Sequence, residues 1–333
     1  MVSRTVGKKK IVETERYVMI FNSENGREII FGKNGFPDPF SLEYPNLIDI
    51  GIMGQCPNKC SFCYQGDQEQ PNMKLEDFKR IINESKKYTN QVALGGRGDP
   101  NLHENFREIV EYAYDNLVIP NYTTSGLNLT DEHIEVSKMC GAVAVSDYGK
   151  DFSYSALRNL INSGIKTNLH FLLSKKSIDK AVNILKGEDI WDGKIDLERL
   201  NAVVFLLFKP QGRGKDLNGW CLSNKDLEEF ISLRLKGKTK FKIGMDSCLV
   251  NRLVQSTNLT KGEEIFLDTC EAARMSCYIS PDMILVPCSF ADHHRHGISL
   301  RKVSIKKAWN YSYGFMSTRL LLEQNKERCP FGF

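Results

Sequence analysis

The stretch QCPNKCSFCYQG, residues 55–66, places Cys56, Cys60 and Cys63 within one short loop. Such a loop holds three soft thiolate ligands close together. A closed structural zinc site uses four protein ligands in a tetrahedron, whereas this loop supplies three and has no histidine near it in sequence. The spacing therefore indicates a metal site in which one coordination position is left to a group other than the protein.

The overall composition is that of a globular chain. It has 333 residues, of which 41% are hydrophobic and 26% are charged, enough for one large domain and a smaller one. The net charge of +4 constrains partners little. No stretch of about 18 uncharged apolar residues is present, and the start lacks an apolar signal core, so we expect a cytoplasmic protein without a membrane span. The charge run Lys8–Lys10 predicts a solvated end.

Ten cysteines are many for a cytoplasmic chain. A disulfide framework belongs to small secreted domains, and this chain is neither small nor predicted to be secreted. The cysteines also fall into groups, one at residues 56–63 and another in the last quarter of the sequence. Metal or cluster ligation is therefore the favoured use for most of them.

The middle of the chain alternates between apolar runs and segments with helical periodicity. Strands are predicted at 47–53, 91–94, 117–122, 142–146, 166–172 and 202–208, and helices at 75–88, 103–115, 130–139, 152–163, 177–187 and 223–235. Thr130 and Ser177 are expected N-caps, and Gly164 is an expected C-cap. This alternation predicts a parallel sheet with right-handed crossovers. Strand spacing alone leaves a doubly wound sheet and a partial barrel open.

Two flanking regions have a different pattern. Residues 17–32 read as a hairpin with a Ser-Glu-Asn-Gly turn, and beyond about residue 240 short strands replace the alternation. One predicted hairpin there turns at Pro281-Asp282. We therefore expect an N-terminal hairpin extension over residues 1–45, a main domain over 46–239 and a smaller cysteine-bearing domain over 240–333.

The cysteine spacing, with Phe62 just before the third cysteine, resembles the cluster loop of radical S-adenosylmethionine (radical SAM) enzymes. The resemblance implies that Cys56, Cys60 and Cys63 ligate a [4Fe–4S] cluster whose open iron binds SAM. In this family the reduced cluster cleaves SAM to methionine and a 5′-deoxyadenosyl radical, which abstracts a substrate hydrogen. Phe62 would then pack near the adenine.

Later motifs follow successive predicted strands, as the family's cofactor-binding segments do. The segment LGGRGDP (94–100) resembles the glycine-rich segment that holds the methionine amino group; it has Arg97 where the family often has Glu, which makes Asp99 the side-chain candidate. The resemblance implies further SAM contacts from Gly95, Gly96, Thr123, Ser125, Ser146 and Arg213. Asp147 could reach the ribose or substrate, Arg213 could instead meet an acidic substrate group, and Asn168 and His170 could face the barrel interior. This joint placement favours an α/β fold with a six-unit partial (β/α)6 barrel of the TIM type over a doubly wound sheet.

The C-terminal cysteines resemble the auxiliary-cluster extensions of the SPASM and twitch type. Cys248, Cys270, Cys288 and Cys329 make a full set of four thiolates, and we interpret Cys277 as the spare because it sits within a predicted strand. The closely spaced cysteine run of a full SPASM domain is missing, so one auxiliary [4Fe–4S] cluster is expected. A structural zinc ion remains open, because the thiolate count cannot separate the two.

These features lead to the expectation of a radical SAM enzyme that modifies a peptide or protein, such as a ribosomally made natural-product precursor. Its expected partners are SAM, a peptide substrate and a reductant such as flavodoxin or ferredoxin. Modification of a nucleotide, tRNA or other small molecule is the second reading, although the lack of a basic stripe argues against a long nucleic acid. A non-catalytic iron–sulfur or zinc scaffold is the third.

Overall fold

The structure, a computed structural model, describes residues 1–236, 239, 241–256, 270–325 and 329–331. Its centre is a parallel sheet whose six principal strands are Leu47–Met53 (β5), Gln91–Gly96 (β6), Ile119–Thr124 (β7), Val143–Ser146 (β8), Thr167–Leu173 (β9) and Ala202–Leu207 (β10). They lie side by side in chain order, each parallel to the next. A doubly wound sheet would reverse this order at a switch point. The predicted partial α/β barrel is therefore confirmed.

Helices connect the strands and cover the outer face of the sheet. They are Leu75–Ser85 (α1), Phe106–Asp115 (α2), Asp131–Ser137 (α3), Asp151–Asn162 (α4), Ile178–Leu185 (α5) and Asn224–Lys236 (α6). Thr130 caps α3 as predicted, because its hydroxyl accepts from the His133 amide and the His133 ring accepts from the Thr130 amide. Ser177 precedes α5, but its hydroxyl donates to the Leu172 carbonyl and caps no helix amide.

A four-stranded antiparallel sheet precedes the barrel, formed by Val2–Val6 (β1), Lys9–Glu13 (β2), Tyr17–Asn22 (β3) and Glu28–Gly32 (β4). The predicted hairpin is β3–β4, whereas β1 and β2 were not predicted. The exposed strand β1 lacks a buried alternating face, and β2 begins within the lysine run that was expected to be solvated. The prediction that the whole Lys8–Lys10 run is solvated is wrong for Lys10. This buried side chain donates to the carbonyls of Lys86, Thr89 and Leu117 at 2.8, 2.6 and 3.3 Å.

A second contact joins the N-terminal sheet to the barrel. The side-chain amides of Asn46 and Asn90 both donate to the carboxylate of Glu28, while the amide oxygens of the two asparagines have no hydrogen-bond partner. Burial raises the pKa of Glu28 above its ordinary value. A proton on the Glu28 carboxyl group would let it donate to one of those oxygens.

The C-terminal strands extend the barrel sheet on both sides. Lys242–Met245 (β11) pairs in parallel with β10, and Ser276–Ile279 (β12) pairs in parallel with β5. The predicted hairpin is confirmed as β12 with Ile284–Val286 (β13), and Ile298–Ser299 (β14) adds to its edge. Further helices span Ser247–Ser256 (α7), His293–His296 (α8), Ile305–Tyr311 (α9) and Tyr313–Gln324 (α10).

One hydrophobic core runs through barrel and C-terminal region alike. Ile50 and Phe205 of the barrel belong to the same buried cluster as Leu253, Ile279 and Trp309. The domain boundary expected near residue 240 stays a prediction. In the described part of the chain, every helix is too short or too polar to cross a lipid bilayer.

Candidate active site

The carboxyl ends of β5 to β10 surround a cavity of about 450 Å³. The cysteine loop that follows β5 forms one wall, and the glycine segment 95–98 at the end of β6 forms another. In barrels built from parallel strands this end holds the reacting groups. The residues predicted from the sequence that line it are Cys56, Cys60, Phe62, Cys63, Gly95, Gly96, Asp99, Thr123, Ser146, Asp147, His170 and Arg213.

The cysteine loop presents its three thiols to this cavity from one side. A turn with Lys59 at φ +44° and a hydrogen bond from the Cys63 amide to the Cys60 carbonyl (3.2 Å) bring the cysteines together. Burial raises the pKa of the Cys60 thiol, and the neighbouring Cys56 and Cys63 thiols add to the shift. No fourth cysteine lines the cavity within the described residues. The donor set therefore fits a cluster with one iron left open.

Arg213 holds the cysteine loop in place. Its Nε donates to the Cys60 carbonyl at 2.8 Å, and its Nη1 donates to the Gly66 carbonyl at 3.1 Å and to Asp67 Oδ1 at 3.0 Å. The Arg213 amide also donates to the Cys63 carbonyl at 2.8 Å. The side chain predicted to meet a carboxylate of SAM or substrate is thus engaged with the loop in this structure, although it also lines the cavity.

The glycine segment allows the backbone to approach the cysteine loop closely. A Cβ on Gly98 would lie 2.1 Å from the Gln55 carbonyl oxygen, and Gly96 adopts φ +110°, which L side chains rarely adopt. Gly95 is different, because a Cβ there would meet no atom within 4 Å. Gly95 therefore leaves open space in the cavity, whereas Gly98 provides clearance for the loop.

Asp99 connects the ends of two strands. Its carboxylate accepts from the Ser125 amide at 2.8 Å and from the Ser125 hydroxyl, and Ser125 in turn accepts from the Asn58 side chain at 3.0 Å. Burial raises the pKa of Asp99, while the bonds from Ser125 oppose the rise. The network links the cysteine loop to the ends of β6 and β7, and Ser125 lies behind the cavity wall.

The remaining strand ends carry polar groups of different character. Asp147 accepts from Trp191 Nε1 at 2.8 Å, and Asn168 accepts from the Asn201 side chain at 2.7 Å. Burial lowers the pKa of His170 to about 4, so its ring is neutral at physiological pH. Its Nδ1 is buried without a hydrogen-bond partner. His170 can therefore offer a neutral hydrogen-bonding group to a bound molecule.

Aromatic rings surround Phe62. Its ring centroid lies 5.8 Å from that of Tyr148 and 6.0 Å from that of Trp220. Such tilted pairs are typical of aromatic packing and fix the orientation of the rings. This environment is compatible with the adenine contact expected for Phe62.

Several cavity residues were not predicted from the sequence. Lys209, after β10, forms a 2.6 Å ion pair with Asp246, after β11, and its Nζ lies 4.5 Å from the centre of the Phe290 ring. Asp49, within β5, also lines the cavity, and burial raises its pKa to about 7. The sequence carries little signal for the pair of Lys209 and Asp246, because these residues meet only through the parallel pairing of β10 with β11.

A second cavity, of about 620 Å³, lies beside the first. It is lined by all five C-terminal cysteines, and it shares Asp49, Asp246, Ser289 and Phe290 with the first cavity. The ring of Phe290 packs 4.5 Å from that of Tyr64, the residue after Cys63. The two groups of cysteines therefore line adjoining cavities that are separated by these shared residues.

Four of the C-terminal thiols influence one another. Burial raises the pKa of Cys288 to about 12, and the Cys329 thiol adds to this shift. Burial also raises the pKa of Cys248, with contributions from Cys288 and Cys329, and a hydrogen bond with Cys329 raises that of Cys270. The pKa of Cys277 is raised by burial and then by Asp49, without a contribution from the other four thiols. Cys277 therefore differs from the other four cysteines in its electrostatic surroundings. In the described residues, no group of three or more His, Cys, Asp or Glu side chains is arranged to hold a metal ion.

Comparisons with known proteins agree with this arrangement. The model of the radical SAM superfamily matches residues 50–165. The mycofactocin maturase MftC of Mycolicibacterium smegmatis is 23% identical over 307 residues, covering 84% of this chain and 73% of that protein. The protein of the same name from Mycobacterium tuberculosis is 23% identical over 301 residues, with the same coverage.

Solved structures share the fold. Streptococcus suis SuiB bound to the precursor peptide SuiA superposes with a TM-score of 0.72 at 12% identity, covering 96% of this chain and 90% of that chain. The structure of anSMEcpe with bound AdoMet superposes with a TM-score of 0.59 at 13% identity, covering 82% of this chain and 79% of that chain. Both likenesses extend beyond the barrel into the flanking regions.

Proposed function

We propose that this chain is a radical SAM enzyme that uses SAM to remove a hydrogen atom from a peptide or protein substrate. The observation that carries the proposal is the meeting of three cysteine thiols and a glycine-backed wall at one cavity. A [4Fe–4S] cluster held there would supply the electron that cleaves SAM into methionine and a 5′-deoxyadenosyl radical. The peptide class is supported by the relatives, which are named as maturases or were solved with a precursor peptide.

The residues of this chain would bind and orient SAM. Cys56, Cys60 and Cys63 would hold the cluster, and Arg213 would keep their loop closed through its bonds to the Cys60 and Gly66 carbonyls. The open space above Gly95 would admit the methionine end. The sequence-based contacts at Phe62, Gly96, Asp99, Thr123, Ser125 and Ser146 stay proposals of this model. Apolar walls would exclude water from the substrate hydrogen.

The second cavity would hold an auxiliary [4Fe–4S] cluster. Cys248, Cys270, Cys288 and Cys329 would supply its thiolates, since these thiols influence one another and Cys277 does not join them. Because the two cavities share lining residues, a cluster in the second would lie beside the first. A flavodoxin- or ferredoxin-type reductant and a cytoplasmic location also remain predictions.

The test is formation of 5′-deoxyadenosine by the anaerobically reconstituted, dithionite-reduced protein. We expect one 5′-deoxyadenosine for each methionine, and loss of this product in C60A, because a cluster with a missing thiolate is not retained. C221A is the matched control, since Cys221 is an exposed thiol that lines neither cavity. Wild-type protein with a full complement of iron that never cleaves SAM would contradict the proposal and favour a scaffold.

A further inference from the structure

A third cavity, of about 560 Å³, opens on the far side of the cysteine loop, and we call it the lysine groove. It shares Asn58, Cys60, Phe62, Asp147, Tyr148 and Leu172 with the active-site cavity. A molecule in this groove would therefore lie against the reacting centre. No function proposed above uses the groove beyond these shared residues.

The lining of the lysine groove combines an aromatic floor with a cationic rim. Phe152, Phe171, Trp191 and Trp220 supply apolar surface. Lys150, Lys176 and Lys180 line the groove and are exposed. None of the three has an ion-pair partner within the part of the chain that the structure describes. Three like charges gathered at one cavity raise the local concentration of anions.

Asp147 is the acidic residue among those that line the groove. Its Oδ1 accepts from the Gly149 amide at 3.0 Å and from the Tyr154 hydroxyl at 3.4 Å, and its Oδ2 accepts from Trp191 Nε1 at 2.8 Å. These bonds tie the carboxylate to its own wall. In the part of the chain that the structure describes, Asp147 forms no ion pair with the lysines of the rim.

We propose that the lysine groove binds a segment of the peptide substrate that carries carboxylate side chains next to an aromatic or large apolar residue. The aromatic floor would take the apolar residue, and the rim would pair with the carboxylates. This inference rests on the proposed function and adds a substrate preference to it. We assign the anionic groups to peptide carboxylates because the proposed substrate is a peptide, and lysine ammonium groups pair with carboxylates as point charges.

Binding of three synthetic peptides to the holoprotein tests the proposal. The capped nonapeptides share a central phenylalanine and differ only in three flanking positions, which are all Glu, all Gln or all Lys. We expect the Glu peptide to bind about tenfold more tightly than the Gln peptide at low salt, since three partly exposed ion pairs supply about that factor together. Calorimetry gives the dissociation constants, and the preference should shrink as salt rises.

Charge reversal locates the site. In the triple variant K150E/K176E/K180E the preference should invert, so that the Lys peptide binds more tightly than the Glu peptide. The control K166E/K225E/K306E carries the same change of charge at exposed lysines outside the groove, and it should keep the wild-type preference within about twofold. Circular dichroism establishes that both triple variants are folded.

The outcomes distinguish a failure of the proposed groove from a failure of the proposed enzymatic function. Equal binding of the three peptides, an equal loss in both triple variants, or tighter binding of oligouridylate than of any peptide would overturn the lysine groove as a carboxylate site. Any of these results alongside normal 5′-deoxyadenosine formation contradicts the groove alone. A wild-type protein that shows the peptide preference but cannot cleave SAM contradicts the enzymatic function instead.

Discussion

Arg213 shows how a single side chain can line a site while its donors hold a neighbouring loop. The resemblance to the radical SAM family identified it as a contact for SAM or for an acidic substrate group. In the structure it lines the cavity, and its donors are directed to the Cys60 and Gly66 carbonyls and to Asp67. Its planar fork suits this task, because several donors are fixed in one plane.

R213K should loosen the cysteine loop without removing the positive charge. A lysine ammonium is a point charge on a flexible stem and cannot reproduce the guanidinium geometry. We expect several-fold less iron after reconstitution and a matching loss of 5′-deoxyadenosine formation. R158K is the control, since Arg158 is exposed and bonds Ser155 and Lys194 away from the cavity. Wild-type iron content in R213K would show that the hydrogen bonds from Arg213 to the cysteine loop are dispensable.

At the scale of single residues, sequence reasoning found the groups that lie next to one another along the chain. Cys56, Cys60 and Cys63 were identified because their spacing alone defines a metal-binding loop. Lys209 and Asp246 were not, because their ion pair depends on β10 and β11 lying side by side. Electrostatic pairs between distant segments leave no local signature in the sequence.

Between elements, the glycine segment after β6 sets the distance from that strand to the cysteine loop. G98A should be destabilised by about 1–3 kcal/mol, because its Cβ would strike a backbone carbonyl that cannot rotate away. G95A is the matched variant and should unfold at the wild-type temperature, since its Cβ enters open space. Thermal unfolding measures both, and equal melting temperatures for the two variants would refute this division of roles.

The contact between β4 and the barrel makes stability depend on pH. Because the pKa of Glu28 is raised in the folded protein, the native state holds this proton more tightly than the unfolded chain. The contribution of Glu28 to stability therefore falls as pH rises from its ordinary pKa through the raised one. A glutamine at this position could accept from one asparagine and donate to the unpartnered oxygen of the other.

E28Q should accordingly be more stable than wild type near pH 8, by about 1 kcal/mol, and lose this advantage towards pH 4. Chemical denaturation across this range measures the difference. E24Q, in the exposed turn of the same hairpin, should show no comparable trend. A destabilised E28Q near pH 8 would mean that the carboxylate is ionised and well satisfied in the folded protein.

The elements themselves were largely predictable, and their long-range neighbours were not. Six strands and six helices of the barrel appear where apolar runs and helical periodicity placed them. The strand β1 and the burial of Lys10 were missed, because an exposed edge strand lacks alternation and a charged side chain usually stays in water. Three backbone carbonyls make the burial of Lys10 tolerable.

For the whole molecule, the distribution of thiols between two adjoining cavities is the testable feature. We expect C248A to lose the iron of the second site, whereas C277A should retain it, because Asp49 and none of the other four thiols contributes to the raised pKa of Cys277. Iron analysis and EPR of the reduced protein measure both. Loss of the same signal in C277A would make Cys277 a ligand and leave one of the other four as the spare.

The pairing of β12 with β5 also bears on how the chain is made. The strand that leads into the cysteine loop is synthesised first, yet the neighbour on its outer edge emerges from the ribosome only after more than 200 further residues have been made. Until then that edge offers unpaired backbone groups to any passing strand. We therefore expect nascent chains that stall before residue 276 to depend on chaperones, and the cysteine loop to acquire its finished surroundings only once β12 has been synthesised.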